Sequence, residues 1–257
     1  MEDPAALSIA AMRRAQDELA VLVGTLTPEQ LTTQSACTDW SVADVLSHLG
    51  SGAENSRRTL LAGTADMAAN QAAWDHWNAM TPEDKASNSV IFGEQLVQAF
   101  ESQDDQARQH RRIDLGVLPM PVDIAFCADL RLSEMALHRW DVEVPFDASV
   151  TVSDYLVPIV LDRLPLFAGF FAKPIGRAHR FGIRTLVPDR DYVLELTTEG
   201  GSLGEGASGD VDASVLLPAE AFVRLTAGRL DPEHTPAGVE VTGTVGLDDL
   251  RTVFPGY

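Results

Sequence analysis

Glu134 and His138 stand four residues apart in "LRLSEMALHRWDVEV", the stretch from Leu130 to Val144. On a helix, offsets of three and four stack side chains on one face. Cys127, Arg131, Glu134, His138 and Asp141 step by four, three, four and three, so they make one polar stripe. The rest of the segment is apolar, with Ile124, Phe126, Leu130, Leu132, Met135 and Trp140 among its residues. That leaves the stripe little room to be an outer face, so a polar cavity inside a bundle is the better setting. The competing reading is plain: Glu and His at this spacing commonly form a solvated pair. Arg131 and Asp141 would then be surface charges and Cys127 a small core residue.

A second histidine shifts the balance. His48 sits among Val45, Leu46 and Leu49, in a helix with a strongly specified start, "TDWSVADVLSHL". Ser41 is a good N-cap and Asp44, three residues on, can complete a capping box. Trp40 and Val45 are spaced for a hydrophobic staple across that start. With His48, Glu134 and His138 on two bundle helices, two imidazoles and one carboxylate become available. That donor set suits zinc with a fourth position left open, the usual arrangement of a catalytic site. Nickel, cobalt or iron(II) can use it too.

The elements that must position these residues are legible in outline. Pro4 can open a first helix, in which Leu7, Ala11, Ala15, Leu19, Leu22 and Val23 follow a 3.6-residue period. "TPEQL" at Thr27 starts a short helical turn. "TADMAANQAAWDHWNAM" and "NSVIFGEQLVQAFESQDDQARQHRR" read as further helical segments, separated by the capping pattern "TPED" at Thr81. "GVLPMPVD" breaks the chain, and Pro121 is placed to open the helix that carries the stripe, which should end before Pro145. "PFDASVTVSD" marks a boundary. One more helix follows, roughly residues 153–171, with a break expected near Pro165.

The texture then changes. "HRFGIRTLV", "DYVLELTTE" and "DASVLLP" alternate or are rich in β-branched residues, as strands are. "PAEAFVRLTAGRL" is a helix with Pro218 at its start and Gly228 near its end. "GVEVTGT" is a last strand and "VGLDDLRTVF" a last helix. The expected class is α+β: a helical bundle over residues 1–149, then a small α+β domain over 150–257.

Composition narrows the function classes. The 257 residues carry a formal net charge of −19, with 45% hydrophobic and 22% charged residues. A surface that acidic repels phosphate backbones, so neither nucleic acid nor an anionic membrane is expected as a partner. Two cysteines make no disulfide framework and fit a reducing, cytoplasmic setting. No signal peptide and no stretch of ~20 apolar residues is evident.

"TDWSVADVLSHL" resembles the W-[ST]-V-x-D-x-x-x-H-L segment of the mycothiol-dependent maleylpyruvate isomerase family, within the wider DinB-like bundles. "RLSEMALHRWDVEV" resembles the family's second segment, with Arg, Glu, His and Arg-Trp-Asp in the same order. The C-terminal part, with "LTAGR", is similar to the family's small sterol-carrier-like domain. The resemblance implies a DinB-like four-helix bundle whose metal ligands are His48, Glu134 and His138. It implies a divalent metal, typically zinc, that holds the sulfur of mycothiol, a low-molecular-weight cysteine-based thiol. Coordination turns a thiol of pKa ~8.5 into a thiolate at neutral pH. In the isomerase the thiolate adds to the double bond of maleylpyruvate, the bond rotates, and the thiolate leaves. Other members transfer the thiol to an electrophile.

The resemblance also implies an arginine in the C-terminal domain that binds a substrate carboxylate. Arg229 in "LTAGRLD" fits best, with Arg224 as the fallback. As a cation after a helix end, Arg229 is equally well explained by the helix dipole. Arg131 can serve the same anion from the stripe, since its fork fits a carboxylate. Asp141 is placed to hold a ligand histidine by its second nitrogen. The expected partners are therefore mycothiol and a small electrophilic or carboxylate substrate.

Two other functions fit the same residues: a metal hydrolase with bound water at the open position, and a non-catalytic binding protein for a small apolar molecule. Other residues read as structural. Cys127 is expected to be a buried, inert thiol, and Cys37 a structural residue before the second helix. Trp74, His76 and Trp77 read as a packed aromatic patch more than as pocket walls. His110 sits in a solvated basic turn, and His179 and His234 lack ligand-type partners at helical spacing. "EGGSLGEGASGD" reads as a flexible hairpin or loop.

Overall fold

The computed structural model describes residues 3–207 and 209–256. The chain forms two compact units, one ending at Val150 and the other beginning at Thr151. The class is α+β, with helices in the first unit and a five-stranded mixed sheet in the second.

The first unit comprises α1 (Pro4–Thr25), α2 (Pro28–Leu31), α3 (Val42–Ala62), α4 (Met67–Asn78), α5 (Pro82–Glu101), α6 (Asp105–His110) and α7 (Ile124–Glu143). The four long helices α1, α3, α5 and α7 make the bundle. Both α1 and α3 pack against α5 and α7, and α4 lies on α3.

Local sequence sets the ends of α3. The Ser41 hydroxyl accepts from the Asp44 N–H at 3.2 Å, and Asp44 accepts from the Ser41 N–H at 3.0 Å. Lys85 of α5 donates to the same carboxylate at 2.7 Å, so the cap also ties two helices together. Gly63 ends α3 in the left-handed region, φ 82°. Gly50 permits a close approach in mid-helix: a Cβ there would lie 2.1 Å from Cη2 of the buried Trp77.

Three sequence expectations are corrected. The segment after "TPED" is two helices, because the chain turns at residues 102–104 and Asp104 caps α6 afresh. Pro121 does not open α7; Val122 pairs with Ile113 in an isolated bridge, and Asp123 caps the helix by accepting from the Phe126 N–H. The helix expected from residue 153 begins at Val157, with Pro158 in its first turn, and it continues through Pro165 without a break. The first half of "EGGSLGEGASGD" forms one arm of a hairpin, with Gly201–Glu205 pairing antiparallel to Arg190–Leu196.

The second unit holds α8 (Val157–Phe171), β1 (His179–Leu186), β2 (Arg190–Leu196), β3 (Gly201–Glu205), β4 (Ala213–Pro218), α9 (Ala219–Thr226), β5 (Glu240–Gly243) and α10 (Leu247–Val253). The strand order is β3-β2-β1-β4-β5, antiparallel except for β1 and β4, where Phe181 faces Ala213. Phe181 and Ile183, Tyr192 and Leu194, and Val215 and Leu217 are buried at alternate positions, so one sheet face forms the core.

Candidate metal centre and adjoining cavity

The stripe on α7 faces inward. Arg131, His138 and Asp141 are buried, as are Leu132, Met135, Ala136 and Trp140 around them. A helix buried on nearly all sides must give its polar side chains partners within the protein. His48, two turns into α3, is the first of these partners.

His48 Nε2 lies 2.9 Å from Glu134 Oε2, and His138 Nε2 lies 3.5 Å from the same oxygen. The three ligand atoms fall within 4.8 Å of one another. Donors bound to one tetrahedral zinc at ~2.0–2.1 Å stand ~3.3 Å apart, so this spacing suits a shared ion. The ring nitrogens are also oriented for it. His138 Nδ1 is 2.8 Å from Asp141 Oδ2, which leaves Nε2 as the lone-pair nitrogen facing Glu134. Asp141 is fully buried and can only accept once ionised, so it fixes that tautomer.

The electrostatics describe a site that wants a cation. Burial alone would raise Glu134, but hydrogen bonds from His138 and His48 outweigh it and hold the carboxyl well below the usual range. Burial lowers His138, yet Asp141, Cys37 and Glu134 together lift it to about 10. The two imidazoles thus face one ionised carboxylate across a single gap, the place a metal ion would take.

Two residues read as structural turn out to border the centre. Cys37 Sγ lies 3.1 Å from Asp141 Oδ2 and 3.9 Å from His138 Nδ1. Cys37, His138 and Asp141 form a second trio of metal-ligand type, on the Nδ1 side of the shared histidine. Trp40, expected as a staple, has its ring 5.3 Å from His48 and 6.4 Å from His138. The order Cys-x-x-Trp-Ser directly before the capped helix was the available signal. A capped start holds the preceding residues near the first turns of α3, where His48 lies.

A cavity of about 440 Å³ opens beside His48 and Glu134, within the first unit. Arg131 and Cys127 continue the stripe along its wall. Trp74 of α4 lines it too, so that residue is a pocket wall; Trp77 is fully buried and donates to Glu54 at 2.8 Å. Cys127 is pushed up to about 12 by burial and then by Asp123, in keeping with an inert thiol.

Arg131 is 6% exposed. Its Nη2 donates to the Leu49 carbonyl at 2.7 Å, the single hydrogen bond this side chain makes among the described residues, and Nε has no partner. Burial lowers it to about 10, against the pull of Glu134. A buried guanidinium without a bonded anion is costly unless a ligand supplies one.

The arginines of the second unit differ from each other. Arg224 forks onto Glu220 at 2.8 and 2.9 Å and also donates to the His234 carbonyl, which makes it a structural residue of α9. Arg229 follows Gly228 (φ 72°), is buried, and donates to the Ala227 carbonyl at 2.8 Å.

The sequence profile of the mycothiol maleylpyruvate isomerase N-terminal domain matches residues 12–143. The chain belongs to this family. All three candidate ligands lie inside the match. Among solved structures, the crystal structure of a mycothiol-dependent maleylpyruvate isomerase superposes with a TM-score of 0.69 at 13% identity, over 96% of this chain and 98% of that one. A variant of such an enzyme with one histidine replaced by alanine gives 0.68 at 12%, with the same coverage. At this identity the likeness is one of fold. No curated protein is matched by the sequence. Among the described residues, no helix is long and apolar enough to cross a membrane.

Proposed function

We propose that this protein is a metal-dependent, mycothiol-using enzyme that activates the thiol for addition to an electrophile. The observation that carries the reading is the convergence of His48, Glu134 and His138 within 4.8 Å, beside a cavity that His48 and Glu134 line. A divalent ion there, zinc by its donor set, would supply a thiolate at neutral pH by binding the mycothiol sulfur.

The chain's own residues supply the rest. Asp141 holds His138 in the ligating tautomer. Cys37 packs beside Nδ1 of His138, and Trp40 packs against both imidazole rings. Arg131 receives a carboxylate or a developing oxyanion from the substrate. S-transfer and maleylpyruvate-type cis–trans isomerisation share the same opening step. They differ in whether the thiolate is expelled again.

Cobalt substitution tests this. Mycothiol added to the cobalt form is expected to produce a sulfur-to-cobalt charge-transfer band that is absent in His138→Ala. A cobalt spectrum that mycothiol leaves unchanged would refute thiol activation and favour bound water as the nucleophile.

A further inference from the structure

The cavity is layered. Along α3 its wall runs from His48 through Gly52 and Asn55 to Leu60, or ~18 Å at ~1.5 Å per residue. Along α7 it runs the opposite way, from Glu134 back to Cys127, about 10 Å. The layer below the ligands holds Arg131. Its Nη1 lies 3.2 Å from where a Cβ on Gly52 would be, so the missing side chain makes room for the guanidinium. Beyond Arg131 the walls are mainly apolar, with Leu60, Trp74, Phe100, Ile113, Leu115 and Leu130, and are interrupted by Asn55, Ser56, Thr59 and Asn70. A small dicarboxylate would leave these walls facing water and would bring two charges to one cation.

We infer that the electrophile is an α,β-unsaturated ketone with an apolar acyl body: its β-carbon lies at the ligand layer, its carbonyl oxygen at Arg131, and its body in the apolar layers. Arg131 precedes Glu134 by three residues on α7, so the two side chains are neighbours on one helix face. The addition step rests on the thiol reading above; the occupant of the chamber does not. In that step the sulfur lone pair forms the C–S bond, and the double-bond electrons move to the carbonyl oxygen as an enolate. The enolate then takes one proton at the α-carbon, replacing the proton the thiol lost. The sum is thiol plus enone giving a thioether ketone, with no oxidant or reductant. Arg131 meets full negative charge only when the enolate forms, which is where a buried, unpaired cation accelerates reaction most.

The test uses the full-length, metal-free protein and unreactive probes. Saturated methyl ketones from 2-butanone to 2-octanone, 4-phenylbutan-2-one and succinate are titrated by calorimetry, with tryptophan fluorescence as a second readout. Affinity is expected to rise about fourfold per added methylene until the chamber fills. Ser56→Phe, which fills the chamber from α3, should abolish that dependence. Arg131→Met should weaken every ketone by a similar factor and leave the slope intact. A flat series, or succinate binding more tightly than 2-octanone, would overturn the proposal. With metal and mycothiol restored, the matching enones should lose their ultraviolet absorbance as adduct forms. Ketone binding with its slope but no adduct would sink the addition step and the thiol reading while leaving the chamber's occupant standing.

Discussion

Asp141 offers the most informative single substitution. It touches no cavity and is not one of the three converging ligands, yet it accepts from His138 Nδ1 at 2.8 Å and from Cys37 Sγ at 3.1 Å. Asp141→Ala frees the His138 ring to turn and to change tautomer. Removal of such a partner lowers metal affinity by roughly 10–100-fold. With zinc held at a hundred times the wild-type Kd, binding stabilises the fold by about 2.7 kcal/mol, and by ~1.4 to ~0.4 kcal/mol after that loss. The difference, ~1.3–2.3 kcal/mol, is roughly 3–9 °C of metal-induced Tm shift for a protein of this size. The assay compares melting of each variant with and without zinc, alongside competition with a chromophoric chelator. Comparing shifts removes whatever the substitution does to the metal-free fold. A folded Asp141→Ala protein with an undiminished zinc shift would refute the argument that Asp141 acts through His138. The rival trio of Cys37, His138 and Asp141 gives its own signature: Cys37→Ala would abolish zinc binding and His48→Ala would not, the reverse of what the main reading expects.

Further outcomes follow from the same geometry. At pH 8, Cys127 should react with alkylating reagents roughly a thousandfold more slowly than a free cysteine. Its rate should rise about tenfold per pH unit up to about 12, as mass spectrometry of the labelled peptide will show. Gly50→Ala drives a methyl into Trp77 and should destabilise by about 1–3 kcal/mol, read by denaturant melts, with Gly24→Ala as the unhindered control. Ser41→Ala removes the α3 cap and should lose about 1 kcal/mol. Burial would raise Asp44, but Lys85 and Ser41 hold it below its ordinary value. A carboxyl depressed in the folded state stabilises above its unfolded pKa and loses that stabilisation as pH falls through the folded one. Lys85→Met should therefore flatten the acid limb of the stability profile below about pH 4 and leave neutral pH as the place where it costs most.

The convergence of His48, Glu134 and His138 was legible because a stripe and a helix cap agreed. A polar stripe on an otherwise apolar helix has to face an interior, and the capped start of α3 placed a second imidazole at a defined depth. The class and the strands β1, β2 and β4 were legible from alternation. What the sequence hid were contacts made across chain distance. Cys37 is separated from Asp141 by 104 residues, and no local pattern relates them. Trp40 had an adequate local role as a staple, which masked its place beside two histidines. The α5–α6 break was hidden because helix-forming residues continue across it, and only Asp104 marks the new start. Pro165 misled in the other direction: a proline removes one backbone donor, and α8 continues past it. Arg131 was on the stripe, but its lack of a bonded anion is a property of packing, which spacing cannot reveal.

The central claim is thiol activation at His48, Glu134 and His138, and metal content measured together with mycothiol binding tests it most directly. Elemental analysis of the purified protein and of His138→Ala should give one metal ion per chain in the first and none in the second. Mycothiol titration should show binding that requires the metal and is lost in the variant. Metal-free protein in both preparations that cannot be loaded with zinc, or mycothiol binding of equal strength in the variant, would contradict the account.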